Sequence, residues 1–113
     1  MAEEESQLAV RISQRALADL WDIWCYNAEL YGIEHADNYS TFLNKSIQEL
    51  GENQRQSREV RGFSPCRYVT AKLSRRGHGH YVIFSIDKTE LQVNVLRICH
   101  TRMDVAARLK GEV

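Results

Sequence analysis

LQVNVLRICH, residues 91–100, followed by TRMDVAARL, residues 101–109, is the stretch on which the reading of the fold turns. In LQVNV the apolar groups alternate with polar ones, the period of a strand with one buried face. From Val95 to Cys99 apolar groups stand on both parities, as expected where a strand is covered on both faces. The segment is therefore predicted to be an interior strand. After His100 the pattern breaks, and Met103, Ala106, Ala107 and Leu109 mark a short terminal helix with Asp104 as its cap.

Working outward, HYVIFSI (residues 80–86) and CRYVTAKLS (residues 66–74) are rich in Val, Ile, Tyr and Phe. They are set off by the breakers RRGHG and DKTE, so the three strands read as an antiparallel meander. ENQRQSREVRGFSP, residues 52–65, has no apolar period, ends in the only proline and reads as a crossing loop. Before it, Ala36, Tyr39, Leu43, Ile47 and Leu50 share one helical face with Phe42 beside it and Gly51 past the end. Earlier still, Leu17, Leu20, Trp21, Trp24, Ala28 and Tyr31 recur at helical spacing between a Ser13 cap and a Gly32 stop, which assigns both indoles to the core. Leu8, Val10 and Ile12 alternate as a first strand. The order β-α-α-β-β-β-α implies an α+β layer: a helical hairpin on one face of a small antiparallel sheet whose other face is partly open. One domain over residues 8–110 is expected, behind a flexible acidic leader, residues 1–7.

The 113 residues, 43% hydrophobic, suffice for one core and not for two. The first residues, MAEEESQ, are acidic where a signal peptide needs a basic stretch and an apolar core, and no apolar run approaches the length of a membrane span, so a cytoplasmic protein is expected. Cys25, Cys66 and Cys99 have no CxxC spacing and read as reduced thiols. Net charge is zero, but residues 1–54 carry three basic and ten acidic groups against seven and one over residues 55–76. A basic middle segment suits phosphates or an acidic protein partner, although a chain that grips RNA is usually basic overall.

This order, together with VLRICHTRMDVAARL at residues 95–109, resembles the ParE toxins of the RelE/ParE superfamily. His100, Thr101, Arg102, Met103 and Asp104 stand as that group's His-x-Arg-Met-Asp element. HYVIFSID, residues 80–87, is similar to its penultimate strand, and ALADLWDIWCYNAELYG, residues 16–32, to its first helix. The resemblance implies a RelE/ParE-like fold and a type II toxin that inhibits DNA gyrase by binding it, with no bond made or broken. It also implies a ParD-like antitoxin whose disordered tail folds onto the toxin. No cofactor, no metal, no membrane and no direct DNA binding by the chain itself are expected. The alternatives are a RelE-like ribosome-dependent mRNA endoribonuclease, or a relative that binds its antitoxin without being toxic.

The element Arg97, His100, Arg102, Met103 and Asp104 has two readings. His100 is either a general base near neutral pH or a structural group bonded near the start of the last helix, with Asp104 or Arg102 as partner; the structural reading is favoured. Arg97 either pairs with a carboxylate from the first helix or points to the open face. A ribonuclease would draw its cations and acid–base groups from Arg61, Arg67, Arg75, Arg76, Arg97, His100 and Arg102. His78 and His80 share one side of a strand, but without further ligands they read as a solvated turn. For antitoxin docking the candidates are Tyr26, Tyr31 and Tyr39 along an apolar edge of the hairpin, with Arg61, Arg75 and Arg76 as basic contacts.

Overall fold

The computed structural model describes residues 7–74 and 77–109. In chain order the elements are β1 (Ala9–Ile12), α1 (Gln14–Tyr31), α2 (Ile33–Gln48), α3 (Leu50–Asn53), a 3-10 turn (Gln54–Gln56), β2 (Arg58–Glu59), β3 (Arg67–Ala71), β4 (His80–Asp87), β5 (Gln92–His100) and α4 (Val105–Leu109). They build an α+β fold whose sheet has the order β1-β5-β4-β3-β2. β5 is thus interior, as its apolar run required. β1, however, lies parallel to β5, with Ala9 opposite Gln92 and Ile12 opposite Val95, so the sheet is mixed and not wholly antiparallel. The period-two pattern of Leu8, Val10 and Ile12 is the same for either direction, and direction is left to the connection.

Ser13 turns the chain from β1 into α1. Its backbone N–H donates to Val95 O at 3.0 Å, its Oγ accepts from the Ala16 N–H at 3.0 Å, and its hydroxyl donates to Leu96 O at 3.1 Å. One side chain therefore caps the helix and ties it to β5. Ser13→Ala is expected to cost about 1–2 kcal/mol in urea unfolding. A loss below a few tenths would mean that water replaces both bonds. Gly32, at φ 96°, closes α1 and opens α2 in a backbone region open to glycine, which makes the hairpin tight.

The tryptophans do not point inward. Ala16 is fully buried, and Leu20 and Ile23 pack against the core, so the inner stripe of α1 is Ala16, Leu20 and Ile23. The stripe of Leu17, Trp21 and Trp24 is rotated from it by one residue; Trp21 is 63% exposed and stacks on Trp24, with ring centroids 5.5 Å apart. Trp24 Nε1 donates to Asp37 Oδ1 at 2.9 Å, linking the two helices from outside. Where two apolar stripes lie side by side, the close approach of helix to sheet selects the one that begins with the small Ala16.

The expected loop at residues 52–65 is also more ordered than its composition implied. Gly51 lies inside α3, not past a helix end, and accepts the Leu8 N–H at 2.8 Å. A 3-10 turn follows, and then the two-residue β2 extends the sheet edge along β3. Arg67 supports this edge, with Nε donating to Ser57 Oγ at 2.6 Å and Nη2 to Ser57 O at 2.8 Å.

Two cores flank the sheet. Tyr39, Leu43, Ile47 and Leu50 meet Val82, Phe84, Val93, Val95 and Ile98 under the helices. On the opposite face, Val60, Cys66, Ile83, Cys99 and Leu109 form a smaller core, so the face expected to be partly open is covered there by α4 and the segment before β3. A bulge decides which β5 residues face which core. Ile83 pairs with Arg97 but Phe84 pairs with Val95, leaving Leu96 as the extra residue. The bulge reverses the parity of the strand, so that Val93 and Val95 and then Ile98 all reach the helical core.

Candidate functional site

Beyond the bulge, the end of β5 and the start of β4 form the floor of a cleft of about 1030 Å³, walled by the hairpin. Tyr26, Tyr31, Tyr39, Arg97, His100, Arg102 and Met103 all line it, as do His78, His80 and Asp19. The structure thus brings Arg97, His100, Arg102 and Met103 together with the hairpin tyrosines, which no spacing rule connects. Asp104 stands beside the cleft, its Oδ1 accepting the Ala107 N–H at 3.3 Å as the cap of α4. Met103 precedes that helix and does not belong to it. Arg61 lies in an exposed turn and is not among the lining residues. Arg75 and Arg76 lie outside the described residues.

Arg97 is buried and held in place. Its Nε donates to Asp19 Oδ2 at 2.8 Å and its Nη2 to Asp19 Oδ1 at 3.1 Å, while Nη1 reaches Arg108 O at 3.4 Å. The same Oδ2 accepts the backbone N–H of Ile98 at 2.9 Å. Since β1 stops opposite Val95, a carboxylate from α1 takes over at the edge of β5 where the first strand has ended. A bidentate guanidinium–carboxylate pair with both side chains buried fixes α1 against the sheet and leaves no mobile cation at this point. Sequence reasoning anticipated a carboxylate from the first helix but did not single out Asp19. The signal was there: Asp19 stands among Ala16, Leu20 and Ile23 on a face that otherwise carries apolar groups.

Three imidazoles gather on the floor. His80 is directly opposite His100 across the β4–β5 ladder, with ring centroids 5.4 Å apart, and His78 lies 5.4 Å from His100 on another side. Gly79 makes this approach feasible: its O accepts the Thr101 N–H at 3.0 Å, and a Cβ there would stand 2.2 Å from Ala71 O. Tyr39, only 9% exposed, bonds through its hydroxyl to His80 Nδ1 at 2.6 Å. Burial, and after it the charge of His100, push the His80 imidazole down to about 4, and burial pushes the Tyr39 phenol up to about 12. At neutral pH both groups are uncharged. His100 Nδ1 accepts the Arg102 N–H at 3.1 Å. Burial first, then His78 and Arg102, hold its pKa below the ordinary histidine value.

With Nδ1 accepting, a neutral His100 carries its proton on Nε2. It then offers a donor to the cleft and no lone pair for a metal. Among the described residues no cluster of histidine, cysteine and carboxylate groups is arranged to hold a metal ion. All three cysteines are free thiols, Cys66 and Cys99 buried in the smaller core. No described helix is long and apolar enough to cross a membrane.

Comparisons with known proteins agree with this architecture. The family described as ParE toxin of type II toxin-antitoxin system, parDE, matches residues 10–105. Toxin ParE1 of Caulobacter vibrioides is 30% identical over 99 residues, covering 88% of this chain and 95% of that protein. Toxin ParE1 of Mycobacterium tuberculosis is 26% identical over 98 residues, covering 87% and 94%. Among solved structures, the chromosomal ParDE TA system from P. aeruginosa superposes with a TM-score of 0.69 at 18% identity, covering 83% of this chain and 96% of that one. A double mutant of E. coli toxin RelE in the free state gives 0.60 at 17% identity, covering 94% and 93%. At such identities the two structures speak for the fold alone.

Proposed function

Because the chain belongs to the ParE toxin family of type II toxin-antitoxin systems, we propose that it arrests growth by binding DNA gyrase, without enzymatic chemistry, and that a ParD-like antitoxin neutralises it. The observation that carries this reading is the engagement of Arg97 by Asp19. A ribonuclease of this fold needs a cation free to meet the phosphorane-like transition state and an acid–base pair poised near neutral pH. Here the strand's arginine is closed off in a buried pair, and the Tyr39–His80 pair stays neutral across the physiological range. Both facts favour a strand end whose groups hold structure over one that turns over substrate, with Arg102 left as an exposed cation of the cleft. Tyr26 and Tyr31, both exposed, are the hairpin residues available for antitoxin docking, whereas Tyr39 acts from within the core.

The test is a supercoiling reaction with purified gyrase and antitoxin-free protein, run beside a coupled translation reaction. Loss of supercoiling or accumulation of cleaved DNA, with translation intact, is the expected result. Arrest of translation with cut messenger and unaffected gyrase would replace this reading by RelE-like cleavage. No response in either reaction would leave a toxin-fold protein that only binds its antitoxin.

A further inference from the structure

The outer face of α1 carries a surface separate from the cleft. Leu17, Trp21 and Trp24 join neither core, and none of them lines the cleft. Leu17 and Trp21 are each more than half exposed, yet the indoles are held in place. Their rings stack at an interplanar angle of 9°, and Trp24 Nε1 is bonded to Asp37 Oδ1. An apolar patch fixed before anything binds has the character of a docking surface built around an aromatic anchor.

The charge around the patch says what docks there. Between Arg15 and Lys45 the chain has no lysine or arginine, while the same stretch holds five carboxylates. Asp19 is engaged by Arg97, whereas Asp22, Glu29, Glu34 and Asp37 are exposed. None of these four stands in an ion pair among the described residues. Two such faces would set like charges against each other, which disfavours a second copy of the chain as the occupant. A protein that handles DNA offers the complement, since it arrays lysines and arginines to neutralise phosphates. We propose that this outer face of the hairpin is the contact with gyrase. Trp21 receives an arginine or lysine of a basic gyrase surface on its exposed ring, and Asp37, Glu29 and Glu34 are the surrounding anions. The inference rests on the reading of the chain as a gyrase inhibitor and names the surface by which it binds.

Purified gyrase held on a sensor surface, with the antitoxin-free chain flowed over it, tests the contact. Native binding is expected to weaken about ten-fold as salt rises from about 50 to about 200 mM, as a contact between opposite charges does. Trp21→Ala should weaken it about thirty-fold through loss of the aromatic anchor. Asp37→Asn keeps the acceptor for Trp24 Nε1 and removes the charge, and should weaken binding about five-fold. Both positions are exposed, so the thermal midpoint of each variant should stay close to that of the native chain. The antitoxin should bind both variants as it binds the native chain. Native-like gyrase binding by either variant, or binding indifferent to salt, would overturn the proposal and leave gyrase inhibition standing. Loss of antitoxin binding in the variants would also overturn it, by giving this face to the antitoxin. If the native chain does not bind gyrase at any salt concentration, the gyrase reading itself fails and the proposal falls with it.

Discussion

Replacing Asp19 by alanine is expected to destabilise the protein by about 3–5 kcal/mol, the loss that follows when one member of a buried ion pair is removed and its partner stays charged. Two deficits add here. Arg97 keeps its charge at 5% exposure after losing a bidentate carboxylate, and the Ile98 N–H loses the Asp19 carboxylate that it donates to at the edge of β5. The thermal midpoint should fall by on the order of 10–20 °C. Asp19→Leu combined with Arg97→Met should recover much of the loss, since the pair is replaced by apolar groups of similar reach, while the Ile98 N–H and the Arg108 carbonyl lose these bonds. Calorimetry of the two variants decides it. A loss below about 1 kcal/mol in the single variant would show that Arg97 escapes to water, and β5 would then present a mobile cation to the cleft.

Stability should also fall in mild acid, through His80. Its folded-state pKa of about 4 lies below the ordinary 6.5, so as pH falls the unfolded chain takes up the proton first. The contribution of the neutral imidazole is fully present above about pH 6.5 and is lost progressively between 6.5 and 4. The distance from 6.5 to about 4 sets the loss at up to roughly 3 kcal/mol. Denaturant unfolding at a series of pH values from neutral to 4 should show this slope, and His80→Gln should flatten it. Titration of the His80 ring signals near 6.5 in the folded protein would rule the effect out. Tyr39 reinforces the same state, because its hydroxyl bonds a neutral Nδ1 and its own proton is retained far above neutrality.

The sequence carried the α+β order, the Ser13 cap, the Gly32 junction and the interior place of β5 because each depends on local period or local bonding. It misjudged α1 because Leu17, Trp21 and Trp24 form a better apolar stripe than Ala16, Leu20 and Ile23, and only the distance of closest approach to the sheet separates them. The double parity of Val95–Cys99 had two causes that a one-dimensional pattern merges: coverage on both faces, and a bulge at Leu96. The bulge matters more for the site, since without it His100 would turn away from the hairpin. Asp19 with Arg97, and Tyr39 with His80, are separated by 78 and 41 residues, and spacing rules do not reach that far. The direction of β1 was likewise open until its partner was known.

That partner sets when the molecule can exist during synthesis. β1 is made early, but the strand it pairs with follows 83 residues later, from Ala9 to Gln92. The carbonyls of Val95 and Leu96 that anchor Ser13 emerge later still. A nascent chain that has not yet exposed β5 therefore has a helical hairpin with no sheet edge to dock on, and neither the Asp19 lock nor the histidine floor is assembled. Such long-range closure also slows folding relative to a fold of local contacts. The interval between the synthesis of β1 and an assembled cleft gives a partner made at the same time the opportunity to engage the chain before its cleft is complete.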